Sequence, residues 1–198
     1  MGAKNILTDS LMKNFAVLIS GDGREALEII KDFKRRLIKP RLKLILSDND
    51  ESPAIAFADL NHIPYELAVR TAFKTKKAFE DHILGVLKAN EVDYLYLAGW
   101  IHAPGAALLH AFPDRIVGTH AALLPAFKGL NPIQQALDYG VKVTGVTAFI
   151  PDEKMDAAKI VAQRCVEIQE NDTFDELDNR LFKMSTLLAL DTINQMFM

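Results

Sequence analysis

Gly118-Thr-His120 is followed by Ala-Ala-Leu-Leu-Pro and then by Lys128-Gly129. A histidine set among small residues, just beyond the apolar run Arg115–Thr119, leaves room for a substrate. With a carboxylate as partner it is equipped to move protons. Asp156, in Lys154-Met-Asp-Ala-Ala-Lys-Ile160, precedes another apolar run and is the candidate partner. On spacing alone, a loop histidine and a turn-forming aspartate explain the same residues slightly better, so the catalytic reading stays open at this point.

A second stretch, Ile19-Ser-Gly-Asp-Gly-Arg-Glu25, places two glycines between an apolar run and a helix-like segment. Such a turn exposes backbone N–H groups and a helix N-terminus to an anion, typically a phosphate. Gly-x-Gly also serves any tight strand-to-helix turn. Arg24 favours an anion here and Glu25 opposes one. Other chemistries find less support. His62, His82, His102, His110 and His120 share no metal-ligand spacing, so no metal is expected. Cys165 is the sole cysteine, which rules out an internal disulfide and a cysteine-based zinc site. No Gly-x-Ser-x-Gly elbow accompanies Ser20, which argues against a serine hydrolase.

The elements that must position these residues can be read from periodicity. Phe15–Ser20, Leu42–Leu46, Pro64–Leu67, Tyr94–Ala98 and Arg115–Thr119 are short apolar runs of strand type. Between them, residues from Arg24 to about Leu37, Pro53 to Asn61, Lys76 to Ala89 and Gly105 to Ala111 carry helical spacing. Asn131-Pro132 reads as an N-cap followed by proline at the first helical position, opening a helix to Tyr139-Gly140. Val143–Ile150 and Lys159–Ile168 read as two paired strands, and Asp172–Met198 as mostly one long helix. Strands alternating with helices predict an α/β fold, a Rossmann-like three-layer sandwich with a mostly parallel sheet and an antiparallel C-terminal addition. Ligands in such sheets gather at the carboxyl ends of the strands. Gly21–Gly23, Gly99–His102 and Gly118–His120 should therefore converge.

Composition sets the outer bounds. The 198 residues are 49% hydrophobic and 25% charged, with a formal net charge of −3, which suits one globular domain and disfavours a nucleic-acid partner. The basic cluster Lys31–Arg36 reads as the solvated end of a helix. No apolar stretch approaches a signal sequence or a membrane span, so a cytoplasmic location and no membrane partner are expected. Residues 1–14 are expected to form a flexible extension and residues 15–198 a single domain.

Several stretches taken together resemble the folate-dependent formyltransferases: HAALLPAFKGLNPIQQAL, GVKVTGVTAF and MDAAKIVAQ, with VLISGDG, AFKTKKAFEDHIL and VDYLYLAGW before them. The likeness runs from about residue 15 to residue 196. It implies formyl transfer from the cosubstrate 10-formyltetrahydrofolate to the amine of glycinamide ribonucleotide, in purine synthesis and without a metal. It implies small-molecule substrates and a monomer or homodimer. By the same resemblance His120 matches the family's catalytic histidine and Asp156 its aspartate, which helps move protons through histidine and water. Gly21, Asp22, Gly23 and Arg24 match the substrate-phosphate loop, and Gly118 and Lys128 join them as substrate-binding positions. Ile101, His102, Ala103 and Pro104, with Asp152 and Met155, match segments that enclose the folate.

The sequence departs from the family pattern at clustered positions. The family's asparagine, which steadies the tetrahedral intermediate together with the histidine, falls at Gly118. Ala121-Ala122 replace Pro-Ser, Arg24-Glu25 replace Ser-Asn, and His102 replaces an arginine. Phe149 stands for a histidine, Ala158-Lys159 for Gly-Pro, and Ser185-Thr186 for Glu-His. His102 and Thr119 are the nearby candidates for a substitute donor. These changes leave two alternatives to a working transferase: a relative that binds ligand without turnover, or a formyltransferase or formyl-folate hydrolase with another acceptor.

Overall fold

A computed structural model describes residues 12–152 and 159–198. Its centre is β1 (Asn14–Ile19), whose residues alternate between two hydrophobic layers. Phe15, Val17 and Ile19 face one layer while Ala16 and Leu18 face the other, as the two-residue period of a strand requires. A run buried on both faces belongs in the middle of a covered sheet.

Six further strands complete one sheet: β2 (Arg41–Ser47), β3 (Tyr65–Leu67), β4 (Tyr94–Ala98), β5 (Ile116–His120), β6 (Val143–Ile150) and β7 (Lys159–Glu167). Their spatial order is β3-β2-β1-β4-β5-β6-β7. The first five are mutually parallel, and β6 and β7 are antiparallel additions at one edge, as expected from the sequence. Strand order reverses between β1 and β4, and this is where a crevice opens beyond the carboxyl ends of the strands.

Helices cover both faces. On one side α1 (Arg24–Lys34), α2 (Pro53–Leu60) and the C-terminal half of α6 (Phe174–Met196) bury Ile29, Ile30, Ile55, Ala189 and Ile193. On the other, α3 (Lys76–Ala89) and α4 (Ala106–Ala111) bury Phe79, Ile83, Leu87 and Leu108. A third cluster joins α5 (Pro132–Tyr139) and the N-terminal half of α6 to β6 and β7 through Ile133, Leu177, Leu181 and Val146.

Local chemistry explains most element ends. α6 starts with a capping box, in which Thr173 and Glu176 satisfy each other's backbone N–H. α1 stops at Lys34, short of the predicted Leu37, because Arg36 turns into the left-handed region at φ 63°. Pro132 opens α5 as predicted, but Asn131 makes no side-chain cap: its backbone is left-handed at φ 55°. The N-terminal extension expected to residue 14 lies mostly outside the described residues, and Asn14 already belongs to β1. Among the described residues, no helix is long and apolar enough to cross a membrane.

Candidate active site

The Gly21–Gly23 turn carries the chain from β1 into α1. Gly23 has φ 65°, and a Cβ there would come within 2.6 Å of the Ser52 hydroxyl, so only glycine fits. Ser52 donates to the Asp22 carbonyl at 2.9 Å, and Asn49 Nδ2 donates to the Gly21 carbonyl at 2.8 Å. The turn is thereby fixed from the β2–α2 loop.

Beyond this turn lies a cavity of about 270 Å³, walled by Asp22, Gly23, Arg24 and Glu25 from the turn and α1, and by Thr119 and His120 from β5. Its far wall is one face of α6, where Asp178, Phe182 and Ser185 recur at helical spacing. Arg24 forms a two-bond ion pair with Asp178, at 2.7 and 2.6 Å, and its guanidinium lies 4.6 Å above the Phe182 ring. Glu25 accepts hydroxyl hydrogens from Ser185 at 2.6 Å, Thr119 at 3.1 Å and Tyr96 at 3.2 Å. Enclosure in this cluster pushes the Glu25 carboxyl above its usual range, with the three hydroxyls and Arg24 opposing that shift. The same burial, with the Glu25 charge added, raises the Tyr96 phenol.

A second hollow of about 380 Å³ opens on the other side of His120. Leu97, Trp100, Ile101, Leu124, Leu130 and Phe149 give it apolar walls, and Gly118 and Lys128 also line it. Gly99, Thr119 and His120 belong to both hollows. This shared border is the feature that sequence spacing could not establish.

His120 is half-buried, and its Nε2 donates to the Phe127 carbonyl at 2.8 Å. A carbonyl can only accept, so in the neutral ring Nε2 carries the proton and Nδ1 keeps the lone pair for a base. The turn after His120 is held by Thr147, which is fully buried. Its hydroxyl donates to the Ala122 carbonyl at 2.7 Å and accepts from the Leu124 N–H at 3.0 Å and from Gln163 Nε2 at 3.0 Å. Thr147→Val keeps the shape but orphans these groups. It is expected to cost about 1–3 kcal/mol of stability, read as a lower denaturant midpoint at unchanged m.

The remaining predicted positions divide among three places. Ile101 lines the apolar hollow with Gly118 and Lys128, so these substrate-type and folate-type candidates share one wall. His102, Ala103 and Pro104 instead line a separate cavity of about 230 Å³ against Phe79 and Ile83 of α3. His102 Nε2 donates to Asp48 at 2.8 Å, and the same carboxylate oxygen accepts from Ser20 at 2.7 Å. Ser20 in turn accepts from the Ile101 N–H at 3.2 Å, so this chain of bonds pins the 101–104 segment to β1 and β2. Asp152 lines a further hollow with Leu109, Phe112 and Asp114. Met155 and Asp156 lie outside the described residues.

Tyr96, Asp178 and Phe182 were not visible as site residues in the sequence. The polar residues Asp178 and Ser185 do recur on one face of α6, but nothing local says that this face meets α1 and β5.

A mostly parallel sheet, two hollows at its switch point and a histidine on their common border define an α/β enzyme of the group-transfer type. Residues 13–192 match the formyl transferase family, and the chain belongs to that family. It is 36% identical over 173 residues to the phosphoribosylglycinamide formyltransferase of Bacillus subtilis strain 168, an alignment covering 87% of this chain and 89% of that protein. Its fold matches the crystal structure of glycinamide ribonucleotide transformylase 1 from Geobacillus kaustophilus with a TM-score of 0.90, at 33% identity, over 94% of this chain and 100% of that one. The phosphoribosylglycinamide formyltransferase of Bacillus halodurans superposes with a TM-score of 0.88, at 34% identity, over 92% and 94% of the two chains.

Proposed function

We propose that this protein transfers a formyl group from 10-formyltetrahydrofolate to the amine of glycinamide ribonucleotide. The observation that carries this reading is the border shared by the two hollows, with His120 on it. A transfer between two substrates needs them side by side with their reacting atoms in contact. The polar cavity beside the glycine turn would hold the acceptor. The apolar hollow walled by Trp100, Ile101 and Phe149 suits the flat ring system of a folate.

The amine nitrogen forms a bond to the formyl carbon while the bond from that carbon to folate N10 breaks, and the proton lost by the amine ends on N10. His120 is proposed to carry that proton, a reading supported by the hold of Phe127 on its Nε2, which leaves Nδ1 as the nitrogen with the lone pair. Asp156 is proposed as its carboxylate partner, and the segment from Asp152 through Met155 as part of the folate enclosure.

A steady-state assay of purified protein with both substrates tests the proposal. Formylated product forming well above the uncatalysed background supports it. A rate equal to background, with both ligands still bound in calorimetric titration, would replace it with a ligand-binding role.

A further inference from the structure

Two departures from the family pattern meet in the wall of the acceptor cavity. Position 25 carries glutamate where the family has asparagine, and position 185 carries serine where the family has glutamate. The two lie 160 residues apart in the chain, yet the Ser185 hydroxyl donates to Glu25 Oε1 at 2.6 Å. A glutamate at 185 would carry its γ-carbon where serine has its hydroxyl, and its carboxylate would reach the space that the Glu25 carboxylate now fills. One carboxylate is therefore kept in this wall, presented from α1 instead of α6.

The two oxygens of that carboxylate are unequally occupied. Oε1 accepts from Ser185, from Thr119 at 3.1 Å and from Tyr96 at 3.2 Å. Among the described residues, Oε2 only shares the Thr119 hydroxyl, at 3.1 Å. A carboxylate oxygen offers roughly two acceptor sites. Oε1 is saturated, while Oε2 keeps capacity for a donor brought by a ligand.

The position of Glu25 indicates which donor. At one end of the cavity is the glycine turn, and among the described residues the N–H groups of Asp22, Gly23, Glu25 and Ala26 have no protein acceptor. These donors suit the phosphate that the resemblance assigns to the turn. At the other end is His120, where the reacting amine would lie. The Glu25 carboxylate stands between, tied to Thr119 beside His120. The part of the ribonucleotide between its phosphate and its amine is the ribose, whose vicinal hydroxyls are donors of the kind that Oε2 can receive.

We infer that Glu25 reads the sugar of the acceptor, its Oε2 receiving a ribose hydroxyl, and that it does so in place of a carboxylate carried on α6 in the family pattern. This rests on the reading of the chain as a glycinamide formyltransferase. Ser185 is then a positioning residue, which holds Oε1 and leaves Oε2 to the ligand.

Measuring kcat/KM for glycinamide ribonucleotide and for its 2′,3′-dideoxy counterpart, at saturating formyl donor, tests the inference. Wild-type protein is expected to favour the ribonucleotide by about tenfold or more, the effect of a hydrogen bond to a charged group. Glu25→Asn should lower this preference to about threefold or less, whereas a merely structural role would weaken both acceptors alike. Adding Ser185→Glu to Glu25→Asn returns the carboxylate from the other side of the cavity and should restore a preference of about tenfold or more.

A wild-type preference below about tenfold would overturn the inference, as would a preference kept in Glu25→Asn or not restored in the double variant. Thermal melting checks that the variants fold; should Glu25→Asn alone fail to, the wild-type ratio and the double variant decide. If neither acceptor is formylated, the formyl-transfer reading itself fails, and calorimetric titration of wild-type protein with each compound decides the role of Glu25. Tighter binding of the ribonucleotide by about tenfold or more then supports the inference; similar affinity for both, or binding of neither, overturns it.

Discussion

Replacing His120 with alanine is expected to lower kcat by about 10³-fold, within the range that loss of a positioned acid–base group causes. The argument rests on placement. His120 ends β5 on the border between the two hollows, so any amine and formyl group brought together there meet beside its ring. Its hydrogen bond to the Phe127 carbonyl fixes the ring and leaves the lone pair on Nδ1, the nitrogen proposed as the base. The ring is only half-buried and, among the described residues, makes one protein hydrogen bond, so folding should survive the change. Single-turnover rates and melting temperature, measured on the same preparation, separate the two effects. Retention of more than about a tenth of the wild-type kcat would remove His120 from the mechanism.

The double substitution Gly118→Asn with Phe149→His is expected to raise kcat by about 10²-fold, because it restores at position 118 the side-chain oxyanion donor of the family pattern. Both residues are those that the family pattern carries at these positions. Neither candidate substitute donor is available in the structure. The Thr119 hydroxyl is committed to Glu25, and His102 Nε2 is committed to Asp48 beside a different cavity. A Cβ at position 118 would lie 3.3 Å from Leu97 Cβ and 3.5 Å from Phe149 Cζ. Asparagine alone would therefore press on the Phe149 ring, and the single variant should gain less than the pair. A double variant no faster than wild type would show that the developing negative charge is already held by another group.

The contrast between Gly118 and Phe149 also shows where sequence reasoning ends. The two are 31 positions apart in the chain, but the antiparallel pairing of β5 with β6 places them directly opposite each other. The large ring occupies space beside a position that has no side chain. The resemblance counts both among a cluster of departures, and the structure shows that these two form one wall of the apolar hollow.

What the sequence by itself determined was local and periodic. Alternating apolar residues specified the strands, helical spacing specified the helices, and the glycines, prolines and Thr173 set many of their ends, because these signals act within one turn or one strand. The parallel sheet with an antiparallel edge followed from the order of those elements, and the catalytic candidate His120 followed from a resemblance spread over nearly the whole chain. Tertiary structure alone decided which side chains meet. Glu25 looked in the sequence like an obstacle to an anion site. Its environment is made by hydroxyls from β4, β5 and α6, between 71 and 160 residues away. Arg24 looked like a phosphate ligand until Asp178, 154 residues on, took both of its arms. Hydrogen bonds and ion pairs of this range depend on how layers pack, and no local pattern encodes their partners.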